Sequence, residues 1–410
     1  MADSVDIDFQ AEELMNMEAD QAVQALIRHA LAVKASDLFV LTEPRSVSLS
    51  IRRHGLVEQV SAVPSELGKH MISYIKAAAG MDIAENRRPA DGRWIAEFDD
   101  LNADLRINTI ATLHGEDLSM RVWDRSVGLL SMDELGMPRK ELAKLKSMMT
   151  CPSGLVLVTG PTGTGKTTTL YAALNDLSDG TRKINTLEDP VEYQLSKARQ
   201  SQVNSKIGLD FPELLRSVLR QSPDVVMIGE IRDEETAATA VRAASSGHLV
   251  FATMHAPVSA SAVQSMLALG VRPYFLSNCL LCVVAQRLVR TLCPVCRVHY
   301  DISDSPQTFE DVKDLLGEGE GRSIFGPSGC DECYGVGYAG RTGLFEVMSM
   351  NQEIRRLIAA SATTGEIEQA AIRNGMVEFR RSAMLKVAQG ITSTEEILRD
   401  VPAEHLGLEN

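Results

Sequence analysis

One short segment restricts the fold of this chain more than any other. Gly160-Pro161-Thr162-Gly163-Thr164-Gly165-Lys166-Thr167 fits G-x-x-x-x-G-K-[S/T] at every position. Glycines let successive backbone N–H groups curl around phosphate oxygens, and the following helix aims its positive N-terminal end at the same point. Lys166 is placed to neutralise β- and γ-phosphates, and Thr167 to ligate Mg2+. Such a loop needs a strand directly before it and a helix directly after it. Residues 155–158 form an apolar β-like run and 168–177 read as a helix. The segment therefore predicts binding of ATP with Mg2+ through all eight residues.

The surroundings extend the pattern. Apolar β segments at 155–158, 184–187, 225–228 and 249–253 alternate with helical stretches, which argues for α/β architecture with a mainly parallel sheet. Hydrolysis also needs a carboxylate to orient or deprotonate water, and groups that sense the γ-phosphate. Two acidic clusters end predicted strands, where an α/β sheet places its site. One is Leu187-Glu188-Asp189-Pro190-Val191-Glu192. The other ends in Ile228-Gly229-Glu230, with glycine where an aspartate is usual. His255 closes a further strand. Each of these, taken alone, also fits a solvated strand end or a satisfied histidine.

The rest of the chain divides around this core. Val23, Leu26, Ile27, Ala30 and Leu31 follow helical spacing. Val47, Leu49 and Ile51 alternate with serines before a turn at His54-Gly55, a helix is expected over 65–79, and β signal runs over 93–122, broken at His114-Gly115. The expected organisation is an N-terminal segment 1–22, an α+β front domain 23–124 and a linker 125–150. An ATPase core 151–290, a cysteine-bounded insertion 291–345 and a helical C-terminal region 346–410 follow. Ser393 with Glu396 is a candidate capping box for the last helix. The longest apolar run, 275–289, is too short and too polar at Asn278 and Gln286 to cross a membrane, and a buried helix is expected there.

Seven cysteines are present, four of them in Cys293-Pro-Val-Cys296 and Cys330-Asp-Glu-Cys333. Two C-x-x-C knuckles are the form of a four-cysteine zinc site, structural because four ligands leave no open position. Gly335 and Gly337 can bring backbone N–H groups to the sulfurs. Two other motifs point less well. Gly335-Val-Gly337-Tyr-Ala-Gly340 fits a dinucleotide fingerprint but follows no strand. Cys279-Leu-Leu-Cys282 has metal spacing inside an apolar run, where small buried thiols are expected. The chain carries 41 basic against 55 acidic residues, a net charge of −14. That balance argues against a surface that coats nucleic acid. The acidic N-terminus is unlike a signal peptide, so a cytoplasmic location is expected.

Together these segments resemble the ATPases of type II secretion and type IV pilus assembly, the GspE/PilB family, from about Ala35 to Arg399. The phosphate loop continues Thr168-Thr169-Leu170-Tyr171 in the family's form. Residues 187–192 resemble its Asp box, 219–233 its Walker B region, including the glycine before Glu230, and 246–255 its His box. Ala285-Gln286-Arg287-Leu288-Val289-Arg290 and the two cysteine pairs complete the set. The resemblance implies a RecA-like P-loop core behind a PAS-like α+β domain. It implies Glu188 as the water-activating base, Glu230 as support for Mg2+ and water, and His255 as γ-phosphate sensor. Arg93, Arg106 and Arg121 match the family's front-domain arginines, which reach the nucleotide. A surface salt bridge is the alternative for each.

The resemblance also implies a homo-oligomer, a hexamer, that acts on an inner-membrane platform protein and is held peripherally at that membrane. The cysteine set favours an assembly or secretion motor over a retraction motor. There are departures. Ser36-Asp-Leu-Phe-Val-Leu41 lacks the usual His and Glu, and Ala256-Pro257 follows His255. Only about 30 residues precede the matched region, so the separate docking domain of many relatives is expected to be absent. Two other functions stay open on sequence: a DNA-transfer motor, and a nucleotide-binding regulator that does not hydrolyse.

Overall fold

A computed structural model describes residues 14, 16–53, 55–98, 101–124, 129–204 and 207–407. Expectations that fall on 1–13, 15, His54 and 125–128 lie outside the described residues. The chain forms two compact units, 1–128 and 129–410.

The first unit is α+β. Helix α1 (Ala19–Ala32) precedes strands β1 (Asp37–Thr42), β2 (Ser46–Arg53) and β3 (Leu56–Pro64). Helix α2 (Ser65–Ala78) leads to β4 (Ala90–Phe98), β5 (Leu101–Ala111) and β6 (Glu116–Asp124). The strands form one antiparallel sheet in the order β3-β2-β1-β6-β5-β4. The five residues that gave α1 its helical spacing are all buried. They share a core with Met71 and Ile75 of α2 and with Leu38, Val40, Leu105, Ile107, Leu118 and Met120 of the sheet. Burying that apolar face is what holds short helices of this kind in place. Lys76 is also buried, and its ammonium is matched by Glu116 at 2.8 Å and the Glu85 carbonyl at 2.7 Å.

The second unit carries the phosphate loop. After α3 (Arg139–Met149) come β7 (Gly154–Thr159), α4 (Lys166–Leu177), β8 (Ile184–Glu188), β9 (Ala198–Gln202), α5 (Phe211–Leu219) and β10 (Val225–Ile228). Then follow α6 (Glu234–Ser245), β11 (Leu249–Met254), α7 (Ser259–Ala268), α8 (Pro273–Cys279) and β12 (Leu280–Leu292). The sheet order is β15-β12-β7-β11-β10-β8-β9, parallel throughout except for β15 (Tyr338–Ser349). A short ribbon of β13 (Val298–Asp301) and β14 (Ser323–Gly326) lies between β12 and β15 in sequence. Helices α9 (Gln352–Ala359), α10 (Thr364–Arg373), α11 (Phe379–Ala388) and α12 (Thr394–Asp400) complete the unit.

Every residue of β7, β8, β10 and β11 is buried, as a sheet covered on both faces requires. Alternate residues feed opposite cores. Leu155, Leu157, Val226 and Ile228 pack on one face, and Val156, Val158, Val225 and Met227 on the other.

Three expectations need correction. The apolar run 275–289 is not one helix. α8 ends at Cys279 and the rest is strand β12, paired with β7 on one side and β15 on the other. The region 346–410 is not helical from its start, because β15 runs through to Ser349. Ser393 caps α12 through the Glu396 N–H at 3.2 Å, but no reciprocal box forms. The Glu396 carboxylate instead holds Arg290 at 2.6 Å and Arg399 at 2.9 Å.

Candidate active site

The phosphate loop joins β7 to α4. Gly160, Gly163 and Gly165 take φ of +147°, +80° and +82°, values that suit glycine. A Cβ on Gly160 would lie 2.4 Å from the Gln286 carbonyl oxygen, so the loop passes too close to β12 for any side chain. Thr164 is buried and its hydroxyl donates to the Pro161 carbonyl at 2.9 Å. Pro161, Thr162, Gly163 and Thr167 are exposed at the mouth. The Lys166 ammonium folds back on its own loop, donating to the carbonyls of Gly160 (2.8 Å) and Pro161 (2.9 Å). Burial lowers its pKa, opposed by the charge of Glu230.

Threonines fix the ends of the strands beside it. The Thr159 hydroxyl donates to the Ala256 carbonyl at 2.9 Å and accepts from the Ala256 N–H at 2.8 Å, tying β7 to the segment after β11. The Thr253 hydroxyl donates to the Gly229 carbonyl, and the Ile231 N–H donates to the Thr253 carbonyl at 2.9 Å. With the register set in this way, Glu230 meets His255 at 2.9 Å and Arg232 at 2.6 Å. Burial pushes the Glu230 carboxyl up, but Arg232, His255 and Lys166 outweigh it and hold it below its ordinary value. The glycine before Glu230 is explained by packing. A Cβ at Gly229 would lie 3.0 Å from the Leu187 carbonyl and 3.3 Å from the Glu188 Cα.

Glu188 is placed differently. Its side chain is 1% exposed and points into the interior, where Tyr171, Thr186 and Gln200 all donate to it. Burial and the adjacent carboxylate push the Tyr171 phenol far above its ordinary value. The Tyr171 oxygen also accepts from the N–H groups of Glu192 (3.2 Å) and Tyr193 (3.3 Å), so it anchors the turn after β8. The structure thus brings Lys166, Glu230 and His255 together, and sets Glu188 in the interior.

Sequence reasoning missed Arg232, Tyr171, Gln200 and Gln286 as parts of this site. Gln286 is 2% exposed and bonds both the loop and α4. Its signal was available: an amide that follows the apolar stretch 279–285.

The three candidate arginines lie in the first unit. Arg93, Arg106 and Arg121 stand directly opposite one another on β4, β5 and β6, and the row continues through Asp37 to Arg52. Directly opposed residues share a sheet face, and like charges so placed repel. Two aspartates relieve part of this. Arg93 pairs with the buried Asp104, and Asp37 takes Arg121 and Arg52, each at 3.4 Å.

The four knuckle cysteines converge. Cys293 and Cys330 sulfurs are 3.9 Å apart, Cys296 and Cys333 3.7 Å, and Cys330 and Cys333 3.8 Å, with all four within 4.8 Å of one another. A tetrahedral Zn2+ with Zn–S bonds near 2.3 Å has sulfur–sulfur edges of about 3.8 Å, so the donor set fits that ion. Backbone N–H groups of Gly329, Cys330 and Gly337 reach the Cys296 and Cys333 sulfurs at 3.1 to 3.2 Å. Gly335 instead donates to the Cys330 carbonyl. Cys279 and Cys282 are buried apart from this group, and burial raises their thiols to about 11 and about 12.

A phosphate loop on a parallel sheet of this order, with an acid–histidine pair at the neighbouring strand ends, defines a RecA-like P-loop ATPase. The chain belongs to the type II/IV secretion system protein family, which it matches over residues 13–399. It is similar to the type II secretion system protein E of Pseudomonas aeruginosa, 38% identical over 394 residues that span 95% of this chain and 78% of that one. It is also similar to the type IV pilus assembly ATPase PilB of Thermus thermophilus, 36% identical over 386 residues, 94% of this chain and 43% of that protein. In fold it is like the ATPase DotB of Legionella pneumophila, with a TM-score of 0.69 at 19% identity over 93% of this chain and 95% of that one.

Proposed function

We propose that this chain is the ATP-hydrolysing motor of a type II secretion or type IV pilus assembly system. The observation that carries the reading is the convergence of Lys166, Glu230 and His255 beside a complete phosphate loop, in a member of this family. The loop N–H groups and α4 would bind the nucleotide phosphates, with Lys166 turning from its own carbonyls to the β- and γ-oxygens. Thr167, exposed at the first turn of α4, and the nearby acids would hold Mg2+, which neutralises developing phosphate charge when bound. Glu230 and His255 would orient water and the γ-phosphate. Glu188 can act as base only after its carboxylate turns away from Tyr171. The arginine row would contribute planar, bidentate contacts to phosphate oxygens. The four cysteines would hold one structural Zn2+.

Oligomer, location and partner complete the proposal: a hexamer on the cytoplasmic face of the inner membrane, acting on a platform protein. Among the described residues no helix is long and apolar enough to cross a membrane. The names of the similar proteins give a nucleic-acid motor no support.

The test joins chemistry to biology. The wild-type chain should release phosphate from ATP only with Mg2+, and Lys166→Ala should abolish release. The same variant should fail to restore secretion or piliation in a strain lacking the gene. Full restoration by a folded Lys166→Ala protein would overturn the reading.

A further inference from the structure

Gln286 belongs to β12, yet its contacts are with the phosphate loop. Its Nε2 donates to the Thr164 carbonyl at 2.6 Å, and its Oε1 accepts from the Thr169 hydroxyl at 2.8 Å. The amide orientation follows from chemistry, because the Thr164 carbonyl can only accept. The Gln286 backbone carbonyl lies against Gly160, and its Nε2 would be 3.3 Å from a Cβ on Gly165. One residue therefore touches both ends of the loop, its inner backbone and the first turns of α4. It is shielded from solvent.

We propose that Gln286 is the positioning residue of the phosphate loop, aiming the Gly165 N–H at the bound phosphate by holding the Thr164 carbonyl. The physical link is the planar trans peptide between Thr164 and Gly165, in which C=O and N–H point in opposite directions. Drawing the carbonyl inward to β12 turns the Gly165 N–H outward, to the side where the loop is open. A loop N–H so fixed costs no reorganisation when phosphate arrives. Glycine at 165 leaves the peptide otherwise free to rotate, so the restraint must come from outside the loop. The Thr169 hydroxyl holds the other end of the amide and keeps it from turning over.

The inference rests on reading the loop as a nucleotide site, and the experiment separates the two. Binding of Mg2+ and a fluorescent ADP to the full chain is measured for wild type, Gln286→Glu and Gln286→Met, alongside melting temperature. Glutamate keeps length and volume but, ionised, sets an acceptor against the Thr164 carbonyl. At about pH 8 it should weaken ADP binding about tenfold or more, and near pH 6 protonation should restore a donor and most of the affinity. Methionine packs without either bond and should stay weak at both pH values, while wild type should change little. Folded Gln286→Glu and Gln286→Met proteins with wild-type ADP affinity at both pH values would overturn the proposal. A lower melting temperature with unchanged affinity would also overturn it, and would assign Gln286 to packing alone. Should the glutamate variant not fold, the uncharged methionine variant carries the same comparison. Failure of wild type itself to bind ADP would instead strike the nucleotide reading.

Discussion

The Tyr171 phenol, on the helix that leaves the phosphate loop, donates to the Glu188 carboxylate at the end of β8, and both side chains are closed off from solvent. A base in that setting is already satisfied, with Thr186 and Gln200 also donating to it. Catalysis by Glu188 therefore requires it to leave Tyr171. Glu188→Gln is expected to lower phosphate release about a hundredfold, the scale of a lost general base, while ADP affinity stays within about threefold. Steady-state release and equilibrium binding check both. Wild-type release would leave Glu188 with a structural part only, and Glu230 as the carboxylate that serves the phosphate.

Arg232 and Glu230 give a pH signature. Arg232 is among the groups that hold the Glu230 carboxyl below its ordinary value. Removing that charge in Arg232→Gln raises the Glu230 pKa, so Glu230 protonates at a higher pH as conditions become more acidic. The acid limb of the rate profile should move to higher pH, with the plateau above it less affected. A profile of kcat against pH for the two proteins is the measurement. An unmoved acid limb would mean that Glu230 does not govern it.

One zinc per chain is expected, and elemental analysis of purified protein decides it. Cys330→Ser or Cys333→Ser should lose the metal and loosen the segment between the cysteine pairs toward proteolysis. ADP binding should suffer less, because the phosphate loop joins β7 to α4 and meets β12 at Gln286, away from the cysteines. Stoichiometric protein without zinc that resists protease as the metal-bound form does would count against the site.

The arginine row predicts a mixing result. Arg106 stands between Arg93 and Arg121 in direct register, so three guanidinium groups line one row across β4, β5 and β6. Lys166→Ala and Arg106→Ala should each be inactive. Mixing them should return part of the activity if the row acts on a neighbouring subunit's nucleotide. No recovery, with subunit exchange verified by differently tagged chains, would confine these arginines to pairing on their own sheet.

Much of this was legible in the sequence, for identifiable reasons. The phosphate loop is local and glycine-specific, and the strands beside it end at or just before Glu188, Glu230 and His255. The cysteine knuckles are equally local. Strand β12 was misread because a strand flanked by partners and covered on both faces is continuously apolar, as a buried helix is. Once it is a strand, Gln286 faces the loop, which no periodicity argument could show. The burial of Glu188 depends on Tyr171 and Gln200, residues brought together only by tertiary packing. The alignment of Arg93, Arg106 and Arg121 depends on strand register, set by turns whose lengths alone do not reveal the pairing.

The cysteine ring also makes the chain unusually open to rewriting at one place. It draws together the entry and exit of the 297–329 excursion, while β12 and β15 stay zipped on the near side. The entropy of closing a loop rises only with the logarithm of its length, so the exposed tip at 317–320 can lengthen at little penalty while Phe309 and Val312 stay packed against α11. Roughly 23 Å of extended strand lies between Cys293 and Gln286, enough to insulate the phosphate loop from such changes. That tip is therefore a natural splice point, where a foreign peptide, a fluorescent tag or a new binding module can be grafted onto the motor without retuning its chemistry.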